Sequence, residues 1–438
     1  MKRMRKIELT TLLLGLIFQV GIVLSVLIST GGDLKYAKYH RKDGIIYYST
    51  AKYQAAGWIL LGLVMVILLE VIVVYLGIIS RTYLAGVVTA VGSIMVWGIL
   101  IQAFYNGGSN LKSYLIKLMG GFMVMAISYM WSRKKMSNFK AKLVACISIF
   151  LILLNLSNLI IGNAVNGSYG WVLGIQPGEI LKPLLILLAA YTYRFRIEKR
   201  MTRVYLGICF SSIVILALSH DLGNASILLV ITLVSIWFLN VDMRMIFMIS
   251  ATAIIGVFVS QKYVPYIRNR FALCFNVLKF GEKGNQQLYR SIMGILLQGL
   301  NGCGPAGDTV EATSLYASST DLVANVLISI FGISALASVV LLLGLLVYEM
   351  LITPIVSPFH FLVAFLGVVV LTTQTLIHVG GDLNIFPFTG ICLPFLSLGG
   401  WNTVVNFSLL GGIFGCLAPS FSTMKISKIS GIRRRTNE

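Results

Sequence analysis

Residues 318–332 read SSTDLVANVLISIFG, and the apolar run that they open continues to Leu351. Asp321 is the acidic side chain at the mouth of that run. Crossing about 30 Å of hydrocarbon takes roughly 20 helical residues, so the run predicts a transmembrane helix over 320–351. Asp321 at its start has two readings. A carboxylate in a first helical turn is stabilised by unpaired N–H groups and the helix dipole, worth about 0.3–1 kcal/mol. The other reading is chemistry, with the helix end fixing the carboxylate's position.

The rest of the chain follows the same pattern. Its 438 residues are 57% hydrophobic and 11% charged, with a mean hydropathy of +0.88, which excludes an ordinary soluble protein. Apolar stretches of spanning length recur at about 9–29, 57–79, 82–105, 111–132, 142–161, 178–197, 203–220, 224–240, 243–261, 359–385 and 399–420. The predicted fold class is all-α: a polytopic membrane helix bundle of about 12 spans, forming one integral membrane domain over 1–438. The first stretch follows MKRMRK like a signal peptide. It exceeds a usual signal core, however, and lacks a small-x-small cleavage site, so it is read as a retained helix.

A net charge of +20 raises nucleic acid as a partner, but the cations lie between apolar segments rather than on one soluble face, and membrane topology is the better reading. With twelve crossings, MKRMRK, Arg81, SRKKMSNFKAK, RFRIEKRMTR and the basic tail share one side. The positive-inside rule makes that side cytoplasmic and places both termini there. The segment 30–56 opposes the rule, because Lys35, Lys38, Arg41, Lys42 and Lys52 then lie outside. Cysteines show no metal-ligand spacing, and a bridge between Cys274 and Cys303 is the one pairing this topology allows outside.

Two outer regions stand out: a large extracellular loop over 262–319, before the tenth helix, and the Gly/Pro-rich stretch 380–402. Irregular backbone cannot face lipid, so the latter must pack in protein or line a wet cavity. Of fifteen acidic residues, this topology puts Asp33, Asp43, Glu179, Asp221, Glu282, Asp308, Glu311, Asp321 and Asp382 on or near the outer face. Asp382 reads as a cap or turn residue, and Glu179 as an ion pair with Lys182 or a site residue. Glu70 lies in the middle of a span, where an ionisable group is functional or paired. His40, His220, His360 and His378 show no zinc-ligand spacing and read as polar interface residues.

Taken together, these motifs resemble the SEDS family (shape, elongation, division and sporulation), the RodA/FtsW/SpoVE-like proteins. The resemblance covers roughly 160–420. It is carried first by HVGGDLNIFPFTGICLPFLSLGG, residues 378–400, with Pro387, Thr389, Gly390, Leu393, Pro394, Phe395, Ser397, Gly399 and Gly400 in register. NGSYGWVLGIQPGEILK, SHDLGNA and YRSIMGILLQGLNGCG add Asn166, Gly167, Trp171, Gln176, Pro177, Glu179, Lys182, Asp221, Gly223, Ser291, Gly299, Gly302 and Gly304. STDLVANVLISIFG aligns at Thr320, Asp321 and Gly332. The family usually has ten spans, so two N-terminal helices are additional. Ser329 and Ile330 stand where the family has two glutamates, Cys303 replaces a lysine and Gly170 an arginine.

The resemblance implies a peptidoglycan glycosyltransferase in a bacterial plasma membrane, polymerising lipid II for shape, division or sporulation. A class B penicillin-binding protein is the implied transpeptidase partner, beside lipid II, nascent glycan and membrane lipids. Asp321 is the candidate catalytic base. Arg268, Arg270, Arg290 and Lys182, or a bound divalent cation, are candidates for the pyrophosphate. Glu179, Asp221, Trp171, Thr389 and Ser397 are further candidate substrate contacts. A lipid-linked precursor flippase and a non-catalytic scaffold for a transpeptidase are the alternatives.

Overall fold

The computed structural model describes residues 2–42, 45–80, 85–105, 108–134, 141–161, 171, 174–194, 199–239, 243–274, 276–307, 318–353, 355 and 357–417. Asn166, Gly167, Gly170, Asp43, Arg81, Asp308, Glu311 and the basic tail lie outside the described residues.

Helices α1 (Lys2–Thr30), α2 (Ala56–Ser80), α3 (Ala85–Ala103), α4 (Ser109–Lys134), α5 (Ala141–Ile161), α6 (Pro177–Arg194), α7 (Lys199–Leu218), α8 (Leu222–Phe238) and α9 (Met243–Tyr263) cover the first nine predicted spans. Next come α10 (Pro265–Leu273), α11 (Val277–Phe280) and α12 (Glu282–Gln298), which build the loop predicted over 262–319. They are followed by α13 (Val323–Phe331), α14 (Ile333–Ile352), α15 (Pro358–Asp382) and α16 (Trp401–Cys416). Among the described residues seven helices are long and apolar enough to cross a membrane: α1, α2, α3, α4, α7, α14 and α15. Their outward faces carry Leu13, Leu61, Leu68, Met123, Phe210, Leu341 and Leu376, as lipid-facing helices require. The chain is a multi-pass membrane helix bundle.

α3 is the central post. It is buried along almost its whole length and packs against α1, α2, α4, α13 and α14. α16 lies along α4, and α15 packs against α6, α8 and α16.

Two expectations are corrected. The segment 30–56, read only as a charged outer loop, pairs as an antiparallel hairpin, β1 (Asp33–Lys42) with β2 (Ile45–Gln54). Its connection is Asp43-Gly44, the dipeptide that short hairpins favour. The second correction is the tenth span, which is not one helix. It breaks at Gly332 (φ +83°) into the short α13 and the long α14.

Short, buried α13 needs its backbone satisfied at both ends. At its C-terminal end the Ser329 and Ile330 carbonyls accept from Cys303 N (2.9 Å) and Gly304 N (2.9 Å), and Ile333 N donates to Leu300 O (2.8 Å). Gly302 permits this approach. A Cβ there would stand 2.7 Å from Gly332 N, and its φ is +70°, so a side chain would clash and be strained. The sequence motif Gly299, Gly302, Gly304 is therefore the cradle for the end of α13. Cys274 and Cys303 are thiols, not a bridge: Cys274 Sγ lies 3.2 Å from Ile385 O and Cys303 Sγ 3.3 Å from Gly304 O.

Candidate active site

Asp321 lies just before the other end of α13. Leu322 holds the N-cap position and makes no side-chain cap bond. The cap comes from a neighbouring helix instead: Asp382 Oδ2 accepts from Ala324 N at 3.2 Å. Asn325 Nδ2 donates to Asp382 O (2.7 Å) and Ser291 Oγ (2.8 Å). Asp382 thus sits at the C-terminal end of α15, the unfavourable end for a carboxylate, and serves the N-terminal end of α13. Asp321 is relieved of capping.

Asp321 is half-buried. Its turn is fixed from three sides. Gln102 Nε2 and Leu398 N donate to Ser319 O (3.0 and 3.0 Å), and Ser397 Oγ donates to Thr320 O at 2.8 Å. Gly390 faces the carboxylate, and a Cβ built on it would lie 3.4 Å from Asp321 Oδ2. Burial pushes Asp321 up to about 6; a hydrogen bond from Thr320 and the charges of His378 and Arg270 oppose that rise, and the charge of Asp382 adds to it. A carboxylate so placed is ionised at neutral pH yet basic enough to accept a proton.

Arg270, on α10, is a second cation whose charge acts on Asp321, after His378. Its Nη1 donates to Phe388 O (2.7 Å), and its guanidinium lies 4.4 Å over the Tyr266 ring. Tyr266 donates to His220 O (3.1 Å) and stacks on the His220 ring at 4.3 Å. Desolvation lowers the Arg270 pKa, opposed by Tyr266, Asp221 and Asp321. These contacts hold the guanidinium in one place, with its charge acting on Asp321.

The irregular stretch after α15 forms the adjoining wall, and side chains take up its carbonyls. Beyond Arg270 at Phe388, His378 Nδ1 meets Ile391 O (2.5 Å) and Gln374 Nε2 donates to Cys392 O (2.9 Å). Tyr114 donates to Phe395 O, and Lys117 Nζ to Leu398 O (3.2 Å). Non-helical backbone at this depth is thus packed in protein, as the sequence required.

Glu179 and Lys182 pair at 2.8 Å, both buried, with Asn402 Nδ2 3.2 Å from the same carboxylate oxygen. Asp221 caps α8 through Asn224 N (3.1 Å). Burial pushes its carboxyl up, with Asn224 opposing. Its charge reaches Arg270, and Lys182 and Asp321 both act on half-buried Cys392, so these groups line one region. Ser397 Oγ is committed to backbone, accepting from Leu393 N (2.9 Å) besides donating to Thr320 O. Thr389 packs beside Gly223 at the start of α8. Trp171, Arg268 and Arg290 are exposed. His378, Asp382, Tyr266 and Lys117 were not singled out as site residues from sequence. His378 with Asp382 and Tyr266 with Arg270 are i,i+4 pairs that the sequence displays, but the contacts that bring them to the site, Asp382 to Ala324, Tyr266 to His220 and Lys117 to Leu398, are remote in the chain and no local pattern signals those. Among the described residues no three His, Cys, Asp or Glu side chains converge to hold a metal ion. No residue is therefore assigned to the divalent cation raised from sequence, and no step is routed through one.

The chain is thus a multi-pass membrane helix bundle that sets a carboxylate and a fixed guanidinium near one end of a buried half-helix. The family model described as "Cell cycle protein", of the FtsW, RodA and SpoVE proteins, matches residues 80–417, and the chain belongs to that family. The match begins at Ser80, the last residue of α2, so α1 and all but the end of α2 lie outside it. A probable peptidoglycan glycosyltransferase FtsW of Wigglesworthia glossinidia brevipalpis is 22% identical, over 70% of this chain and 82% of that protein. Stage V sporulation protein E of Bacillus subtilis is 25% identical, over 71% and 86% respectively. A chain of a peptidoglycan synthase complex, solved in a study of coordinated polymerization and crosslinking, shares the fold. Its TM-score is 0.59 at 21% identity, covering 75% of this chain and 96% of that one.

Proposed function

We propose that this chain is a peptidoglycan glycosyltransferase that polymerises lipid II into glycan strands at the outer membrane face, with both termini cytoplasmic. Residues 1–438 form one membrane domain, 160–420 its family-like core and 262–319 its extracellular loop. The 4-hydroxyl of one lipid-linked disaccharide attacks the anomeric carbon of another or of the growing strand. Asp321 takes the hydroxyl proton as the new C–O bond forms. The bond to pyrophosphate breaks, and undecaprenyl pyrophosphate leaves with the electron pair and with inversion. A pyrophosphate leaving group needs cationic stabilisation more than a proton, so one carboxylate suffices. Arg270 supplies that charge, with Lys182 contributing from α6. Arg268 and Arg290, exposed at the loop, meet substrate or headgroup phosphates. Glu179 and Asp221 orient these cations, Trp171 covers a sugar face, and Thr389 and Ser397 shape the wall. A class B penicillin-binding protein is the transpeptidase partner.

The observation that carries this reading is the transfer of capping duty to Asp382, which leaves Asp321 open, with the charge of Arg270 acting on it. The test is polymerisation of purified lipid II with the partner present. Glycan strands are expected from wild type and none from Asp321→Ala. Equal polymerisation by the variant would remove Asp321 as the base. A flippase predicts a charged midplane path, whereas Glu70 is wholly buried against Gln19 (2.6 Å); lipid translocation in vesicles without polymerisation would favour that alternative. Ser329 and Ile330 motivate the scaffold reading, which predicts that Asp321→Ala still complements a strain lacking its polymerase.

A further inference from the structure

We infer that His378 and Asp382 are a buried positioning pair for Asp321, with His378 presenting the positive charge that keeps the base ionised and Asp382 holding His378 in that state. This rests on the glycosyltransferase reading of Asp321.

The two residues stand one helical turn apart at the end of α15, where i and i+4 side chains share a face. His378 Nε2 lies 3.2 Å from Asp382 Oδ2, and both side chains are almost completely buried. On the ring's other side Nδ1 is 2.5 Å from Ile391 O. A carbonyl only accepts, so Nδ1 carries a proton. The second nitrogen faces a carboxylate, so both ring nitrogens meet oxygen acceptors, and imidazolium is the form that suits both. The Nε2 to Oδ2 contact is not an aligned hydrogen bond, and Asp382 Oδ1 is buried without a hydrogen-bond partner. The attraction is therefore mainly that of charges.

A capping role alone would not need this arrangement. An asparagine at position 382 would accept from Ala324 N equally well. A carboxylate at a helix C-terminus is disfavoured by the dipole, and a neighbouring imidazolium offsets that cost. The charged group that acts on His378 from another element is Asp321, in the turn before α13; Arg270, from α10, and Cys392, from the stretch after α15, are further titratable groups that interact with Asp321 rather than with the pair. The pair borders Asp321 on two sides: Asp382 caps the half-helix that Asp321 precedes, and His378 holds the carbonyl of Ile391, next to Gly390, on which a Cβ would lie 3.4 Å from Asp321 Oδ2. Of the two charges, that of His378 acts on Asp321 more strongly than that of Asp382. Removing the imidazolium therefore leaves Asp321 easier to protonate, even where the Asp382 charge is removed with it.

The test is the acid limb of the polymerisation rate, measured from pH 5 to 8.5 on full-length wild type, His378→Gln and Asp382→Asn. Isotope-edited infrared titration of the Asp321 carboxylate runs in parallel and needs no substrate. His378→Gln is expected to move both limb and titration upward by about one pH unit. That is about a fivefold loss of rate at pH 6 with little change at pH 8.5. Asp382→Asn keeps the Ala324 acceptor and is expected to shift in the same direction, but less; it carries the test if His378→Gln does not fold. An unmoved or lowered Asp321 titration in a folded variant overturns the inference. Failure of wild type to make glycan would instead contradict the glycosyltransferase reading, and the infrared titration would still decide the pair.

Discussion

The molecule buries carboxylates in two places, and the contrast between them separates a site from a clasp. Glu70 of α2 is wholly buried, with Gln19 Nε2 of α1 donating to it at 2.6 Å and to Ser93 Oγ of α3 at 3.3 Å. Its second oxygen has no hydrogen-bond partner, and Glu70 lines a small cavity with Val73, Val88, Val91, Met95 and Phe414. Asp321 is half-buried, faced by a guanidinium and an imidazole, and walled by backbone whose carbonyls side chains take up. Depth and burial are therefore not what marks chemistry. Convergence of opposite charge, access from one side and a fixed turn are. Glu70 instead ties α1 and α2, which but for Ser80 lie outside the family match, to the core, an arrangement that Glu8 Oε2 repeats by accepting from Ala85 N at 2.8 Å.

The contrast can be broken by removing what is special to each side. Arg270→Ala should have the largest effect among residues around the base. Loss of one pre-placed electrostatic group typically costs about 10²–10³ in rate, and kcat on lipid II should fall by that order, with Arg270→Lys recovering only part. Gly390→Val crowds Asp321 and forces a branched side chain to φ +70°; a tenfold or greater fall in kcat is expected, of order 1–3 kcal/mol of backbone strain being typical. On the other side, Glu70→Ala should lower thermal stability by about 1–3 kcal/mol through the stranded Gln19 amide, with the rate per folded molecule unchanged. Glu70→Gln should cost less. Wild-type activity should also fall with acidification, half-lost near pH 6. The carboxylate is the active form, and Asp321 takes up its proton as the pH drops through about 6.

Much of this was legible in the sequence, for reasons that are local. Glycines at 299, 302, 304 and 390 and the Pro/Gly stretch after His378 announce backbone that only protein can satisfy, and Asp321 stands beside them. The break of the tenth span was not legible. Val323–Phe331 and Ile333–Ile352 are equally apolar, and a single Gly332 inside an apolar run does not declare whether a helix bends or ends. The Asp382 cap reaches across 58 residues to Ala324, and Gln19 reaches Glu70 across 51. Periodicity carries no trace of such contacts. The hairpin was hidden by its charge: five cations in 30–56 drew the reading toward topology and away from Asp43-Gly44.

The absence of a glutamate pair at Ser329 and Ile330 also gains a physical setting. Both side chains are buried, at 2% and 0% exposure, where α13 packs on α12 and α3. Carboxylates without partners would be costly there. The carboxylate that this half-helix does meet, Asp382 of α15, serves its other end.

The most direct measurement compares glycan synthesis from lipid II by wild type, Asp321→Asn and Glu70→Gln, each shown to be folded and matched in amount. Asparagine keeps the shape of Asp321 but cannot accept the proton, so a loss of about 10²–10⁴ in rate is expected, while Glu70→Gln polymerises like wild type. An Asp321→Asn protein that polymerises at the wild-type rate, or a Glu70→Gln protein that alone loses the activity, would contradict the account.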